Sequence, residues 1–157
     1  MKLVLLQVGK TDKDYLLDGI KDFNTRINRL ASFETLIIPD LKNRKSLKPE
    51  DQKREEALRI SNYLKTGDYI VLLDERGKQF NSKGFAAVLQ KLFIGSYKRI
   101  IFVIGGPYGF SESLYSRCNI KISLSSMTFS HQLVRLLFME QLYRGLSILK
   151  GLPYHNE

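Results

Sequence analysis

The sequence predicts an α/β fold, a mostly parallel sheet with helices on both faces, and three observations carry that expectation. Short apolar runs alternate with longer segments of helical spacing along all 157 residues. The runs are nearly continuous rather than alternating apolar and polar, so both faces of the sheet must be covered, as parallel sheets require. Gly, Pro and polar clusters fall between the runs, where the chain has to turn. A chain of this length builds one core without staples, so a single domain over residues 1–157 is expected. No repeat, low-complexity tract or linker breaks it up.

Lys2 to Val8 reads as a buried strand punctuated by Gly9 to Asp14. Leu16, Ile20, Phe23, Ile27 and Leu30 then recur at helical spacing. Thr11 with Asp14 three residues on resembles a capping box, which starts that helix near Asp12. Phe33 to Ile38 is a second strand ending at Pro39, before a polar basic loop and a long helix from about Pro49 to Leu64. Tyr69 to Leu73 gives a third strand, Ser82 to Phe93 a helix, and Arg99 to Ile104 a fourth strand that runs into Gly105-Gly106-Pro107. A short helix near Ser111 to Arg117, a short strand near Ile120 to Leu124 and a last helix from about Ser130 to Lys150 complete the chain.

Hydrophobic residues make up 43% and charged residues 26%, which argues against a disordered chain. Cys118 is the single cysteine, so no intrachain disulfide can form. With His131 and His155 it supplies too few ligands for a closed zinc site, and no structural metal is expected. The first strand begins almost at Met1 without a signal-peptide pattern, and runs such as Ile100 to Ile104 are too short for a bilayer. The expectation is a soluble, cytoplasmic protein. Its net charge of +9 suits a polyanion, either nucleic acid or an anionic surface, and charge alone does not choose. Lys42, Arg44, Lys45, Lys48, Lys53 and Arg54 offer a track for looped RNA, although charge runs are more commonly just solvated faces.

Ligands of open parallel sheets bind at the carboxyl ends of strands, which here are Leu73 to Lys78, Ile104 to Gly109 and Leu124 to Phe129. The glycine loop lacks a P-loop lysine and does not match GxGxxG, so neither a nucleoside-triphosphate cradle nor a dinucleotide fingerprint is supported. Taken singly, each segment is an ordinary turn. On the last helix, Leu133, Leu137, Glu140 and Arg144 fall along one side, which brings an ion pair into an apolar stripe. His131 sits in its first turn, where the helix dipole disfavours a positive charge.

Taken together, Leu-Asp-x-x-Gly-Lys (Leu73 to Lys78), Ile-Gly-Gly-x-x-Gly (Ile104 to Gly109), Leu-Ser-x-x-Thr-Phe (Leu124 to Phe129) and His-Gln-Leu-Val-Arg (His131 to Arg135) resemble the RlmH family. Glu140-Gln-Leu-Tyr-Arg144 and Pro153-Tyr154-His155 continue a match that begins at Lys2 to Gly9. The tail departs from the family pattern, with Asn156 and Glu157 following His155 where a basic residue is common.

The resemblance implies a SPOUT-class methyltransferase with a C-terminal trefoil knot, acting as a homodimer. Its methyl donor would be S-adenosylmethionine and its acceptor N3 of a pseudouridine in large-subunit ribosomal RNA, on the assembled ribosome rather than on DNA. Carried over by motif, Leu73, Gly105, Leu124, Ser125, Ser126, Met127, Thr128 and Phe129 would bind the donor. Tyr154 would stack on the acceptor base and Arg144 or Arg135 would stabilise negative charge on it. His131, His155 and Glu140 are all candidates to take the N3 proton, as is water. A non-catalytic basic RNA-binding or ribosome-associated factor on the same fold is the alternative, and cofactor binding separates the two. Leu136, Phe138 and Leu142 of the last helix are expected at the dimer contact.

Overall fold

Alternate residues of the first strand point to opposite sides of the sheet, and both sides are dry. The computed structural model describes residues 1–156, so Glu157 of the divergent tail lies outside the described residues. Strands β1 (Lys2–Val8), β2 (Phe33–Ile38), β3 (Asp68–Gln79), β4 (Arg99–Ile104) and β5 (Ile120–Ser123) form one sheet in the order β2-β1-β4-β3-β5. Every neighbouring pair is parallel. Leu3 and Leu5 of β1 belong to the core layer under α1 (Asp14–Asn28), α3 (Ser82–Ile94) and α5 (Leu133–Leu149). Val4, Leu6 and Val8 belong to the layer under α2 (Pro49–Tyr63) and α4 (Glu112–Arg117). Two covered faces are why the strand sequences show no polar alternation.

The strand order places β4 between β1 and β3, so the break in β3 after Leu73 and the segments leaving β4 and β5 lie at one edge. At the opposite edge the buried Asp68 receives Arg99 Nε at 2.9 Å and Nη2 at 2.6 Å, which ties the starts of β3 and β4 together. Helix α5 packs against both α1 and α3. No helix among the described residues is long and apolar enough to cross a membrane.

The elements match the sequence expectation, with informative exceptions. Helix α1 starts at Asp14 with Lys13 at its N-cap and no side-chain cap bond. Thr11 does not cap it, because its hydroxyl accepts a hydrogen bond from the buried Arg135 Nη1 at 2.8 Å. A guanidinium removed from water needs acceptors more than a helix end at the surface does. Strand β3 does not end at Leu73. It breaks there and resumes, so that Leu73 and Lys78 both lie opposite Ile122 of β5. Helix α5 begins at Leu133, and Ser130 Oγ accepts from the Leu133 N–H at 3.2 Å from outside it.

Phe138 and Leu142, expected at a dimer contact, are fully buried in the core instead. Only Leu136 of that trio stays half-buried, with its δ-carbon over Gly19. The broad apolar character of α5 has a different cause, since this helix must cover the sheet and two helices at once.

Candidate active site

The break within β3 and the loops after β4 and β5 enclose a cavity of about 520 Å³, a size suited to a small molecule. Residues 73–76, 104–110, 122–125 and 127–131 line it, together with Tyr115 and Val134. All the residues expected to hold a donor are among them except Ser126.

Each loop has a local reason for its shape. Residues 74–77 are the stretch of β3 that leaves the ladder, and Gly77 is where it returns. A Cβ at Gly77 would lie 2.6 Å from the backbone of Lys121 and Ile122, so only glycine lets the strand close back onto β5. The loop after β4 is a turn closed by the Gly109 N–H donating to the Gly106 carbonyl at 3.2 Å. Gly109 has φ 81°, a conformation that disfavours side chains with a Cβ. In the third loop Ser123 Oγ donates to the Ser125 carbonyl at 2.8 Å, and Met127 N–H donates to Ser125 Oγ at 2.9 Å. Thr128 Oγ1 then donates to Glu75 at 3.3 Å and ties the third loop to the first.

Two lining groups carry no motif signal of their own. The Tyr115 hydroxyl donates to Asp74 Oδ2, while Asp74 Oδ1 accepts from the Arg76 N–H at 2.7 Å. Burial first, and the hydrogen bond to Asp74 second, push the Tyr115 phenol up to about 12, so it stays a donor at neutral pH. Tyr108 stands at the rim, 52% exposed, on the glycine loop. Nothing in the spacing of Tyr115 or Tyr108 marks either of them.

Of the expected acceptor-side residues, His131 alone lines this cavity. Burial, then the Arg135 and Arg44 charges, lower its pKa and favour the neutral imidazole. Arg135 is fully buried, with Nη1 on Thr11 and Nη2 donating to the Val8 carbonyl at 2.7 Å. It braces the end of β1 and presents no free face to a base.

Glu140, Arg144, Tyr154 and His155 form a second cluster on the outer side of α5. Glu140 Oε1 accepts from Arg144 Nε at 3.1 Å, Arg144 Nη2 at 2.5 Å and the Tyr154 hydroxyl at 3.0 Å. Glu140 Oε2 accepts from Gln141 at 2.7 Å. Arg144 also stacks over the Tyr154 ring, 4.7 Å from its centroid, and contacts His155 Nδ1 at 3.3 Å. A guanidinium can only donate, so that contact leaves Nδ1 as acceptor and the ring proton on Nε2. Burial and the bond to Glu140 raise the Tyr154 phenol, which therefore stays protonated. Tyr143 packs edge-on against Tyr154, with Phe23 and Arg26 of α1 beyond it.

A family model described as "Predicted SPOUT methyltransferase" matches residues 1–155. The protein of Christiangramia forsetii called ribosomal RNA large subunit methyltransferase H is 52% identical over 156 residues, covering 99% of both chains. A protein of the same name from Parabacteroides distasonis is 48% identical over the whole of both chains. A probable methylase family protein from Haemophilus influenzae superposes with a TM-score of 0.52 at 10% identity, covering 99% of this chain and 70% of that one, and shares the fold. With its loops converging on one cavity and these matches running from end to end, the chain belongs to the RlmH family of SPOUT methyltransferases.

Proposed function

We propose that the protein transfers the methyl group of S-adenosylmethionine to N3 of a pseudouridine in large-subunit ribosomal RNA, on the assembled ribosome. It acts as a cytoplasmic homodimer whose single domain, residues 1–157, carries the C-terminal trefoil knot of its class. The observation that carries this reading is the cavity built from the three motif-bearing loops. Its chemistry suits the donor: backbone polar groups of the turns at 105–109 and 124–128 for polar edges, among them the Gly105 and Tyr108 amides, and Leu73, Ile104, Leu124 and Phe129 for apolar faces. Asp74 and Glu75 stand at one wall to favour a cation. When bound there, the sulfonium supplies an electrophilic methyl group.

The residues of the chain then have mainly to position the acceptor. Arg144 and Tyr154 present a cation and an aromatic face, which suits a base carrying negative charge. Glu140 and His155 Nδ1 already accept bonds within the cluster, so they orient Arg144, and the N3 proton is left to His131 or to water. Arg144 lies ten residues beyond Val134 on α5, about 15 Å further along the axis, so the cluster does not overhang the cavity of its own chain. Leu133, Leu137, Glu140 and Arg144 form a half-buried stripe, and two copies packed along it in opposite directions would bring the cluster of one protomer toward the cavity of the other. The exposed Lys42, Lys45 and Lys48 supply phosphate contacts.

The test is transfer of labelled methyl from S-adenosylmethionine to ribosomes, compared with isolated subunits and free RNA. Label should appear at one pseudouridine of the large-subunit RNA, and most strongly in assembled ribosomes. Donor binding with no transfer to any of these would leave the non-catalytic RNA-binding factor.

A further inference from the structure

Helix α2 sends two polar side chains into the interior, Gln52 at 1% and Glu56 at 4% exposure. A buried carboxylate is costly unless donors meet its oxygens. Glu56 has two: Gln52 Nε2 donates to Oε1 at 3.0 Å, and the Gly106 N–H to Oε2 at 3.3 Å. A Cβ at Gly106 would sit 2.4 Å from Oε1 and 2.7 Å from Oε2, and its nearest neighbours would all be Glu56 atoms. Gly106 has no positive φ, so the missing side chain answers to Glu56 and not to the backbone. Gly106 lines the cavity, whereas Glu56 stands behind the loop. Burial, with Asp40 adding to it, pushes the Glu56 carboxyl up, and the bonds from Gln52 and Gly106 offset this.

We propose that Glu56 is a positioning residue of the methyl-donor pocket, whose carboxylate, held by Gln52, anchors the Gly106 N–H and fixes turn 105–109 in the shape that receives the donor. The inference rests on the donor-pocket reading above. A turn fixed in advance spares the donor the cost of ordering it, so the effect falls on affinity and not on turnover at saturation.

Calorimetry with S-adenosylmethionine and S-adenosylhomocysteine tests this, with melting temperature in parallel. Glu56→Ala should weaken both ligands about tenfold or more and raise KM for the donor equally, with kcat at saturation changed less than about threefold. Glu56→Gln keeps an acceptor for Gly106 and lets the Gln52 amide turn to accept, so it should bind within about threefold of wild type. Gly106→Ala should weaken binding as Glu56→Ala does and add nothing to it in the double variant, because the atoms its Cβ meets first are those of Glu56. Wild-type affinity in folded Glu56→Ala, additive losses in the double variant, or a fall in kcat at unchanged affinity would each overturn the assignment. If Glu56→Ala does not fold, Gly106→Ala alone and Glu56→Gln decide: wild-type affinity in the first, or a tenfold loss in the second, sinks the proposal. A wild-type protein that binds neither ligand removes the donor pocket itself and the proposal with it. Normal wild-type binding with unaffected variants removes the proposal only.

Discussion

The cavity and the cluster on α5 are assembled in opposite ways. The cavity joins residues far apart in sequence, because parallel strands deliver their carboxyl ends to one edge wherever they fall in the chain. The cluster joins near neighbours: Glu140 and Arg144 are one helical turn apart, and the tail folds back through the Leu152 N–H donating to the Ser147 carbonyl at 2.9 Å. Each region is ordered by itself, and no contact among the described residues brings them together. Residues sharing a reaction need therefore not share a protomer.

The sharpest way to break that comparison is complementation, where the largest effect is expected. Leu124→Arg, which puts a long cation into the cavity meant for a cationic donor, should disable the cavity and Arg144→Ala the cluster, leaving each homodimer near background. Co-refolding the two should restore activity in the mixed dimers, which hold one site with an intact cavity and an intact cluster. If both halves of a site come from one chain, every site in the mixture is defective and no activity returns. Labelled transfer to ribosomes measures it.

A smaller effect, about a hundredfold in rate or about 2.7 kcal/mol, is expected for Arg144→Ala and Tyr154→Ala alone. Their pairing with Glu140, at a surface position about a quarter exposed, contributes about 1 kcal/mol to folding, so melting temperature and donor affinity should hardly move. Tyr154→Phe keeps the ring under Arg144 and loses only the bond to Glu140, so it should lie between wild type and Tyr154→Ala. Single-turnover rates near wild type for both alanine variants would reduce the cluster to a surface ion pair beside a packed tail.

The sequence made one of these regions far more legible than the other. Strand and helix alternation exposed the sheet, because burial on two faces leaves runs such as Ile100 to Ile104 unbroken. It also marked the three lining segments, where glycines and short polar residues gather, although the first proved to be a break inside β3 and not its end. The partners of the loops could not be read this way. Tyr115 meets Asp74 across 41 residues and Glu56 meets Gly106 across 50, and no local spacing encodes either pair. On α5 the stripe through Glu140 and Arg144 was visible, but Arg135 belongs to the opposite, buried face with Phe138 and Leu142. A charged residue on a buried face contradicts helical patterning, so only the tertiary acceptors Val8 and Thr11 explain it.

Arg135 lies on α5 between the two regions, and its variants show to which it belongs. As a brace, Arg135→Met leaves the Val8 carbonyl without its donor and should cost about 1–3 kcal/mol of folding stability. That amounts to a melting temperature lower by roughly 5 °C in a chain of this size. Turnover at saturating donor should stay within a few-fold of wild type. A hundredfold rate loss at unchanged melting temperature would instead give Arg135 a charge-stabilising role on the acceptor base.

The smallest expected effect belongs to His131, the one candidate proton acceptor at the cavity. Its pKa in the fold lies below the ordinary 6.5, through burial first and then the Arg135 and Arg44 charges, with Asp40 and Asp12 opposing. Between the lowered value and 6.5 the unfolded chain binds more protons than the folded one, so stability rises with pH across that window and levels off above it. The same proton would place a positive charge beside a cationic donor. Affinity for S-adenosylmethionine should therefore fall as the pH drops through that lowered value, while S-adenosylhomocysteine, which lacks the sulfonium charge, should lose less. A like charge a few ångströms away in a hydrated site costs about 1 kcal/mol, so the change is about fivefold at most. His131→Gln should flatten both the stability and the affinity profiles at low pH. It should also separate the two proton routes: a rate unchanged at neutral pH assigns the N3 proton to water, and a loss of about tenfold or more assigns it to the imidazole.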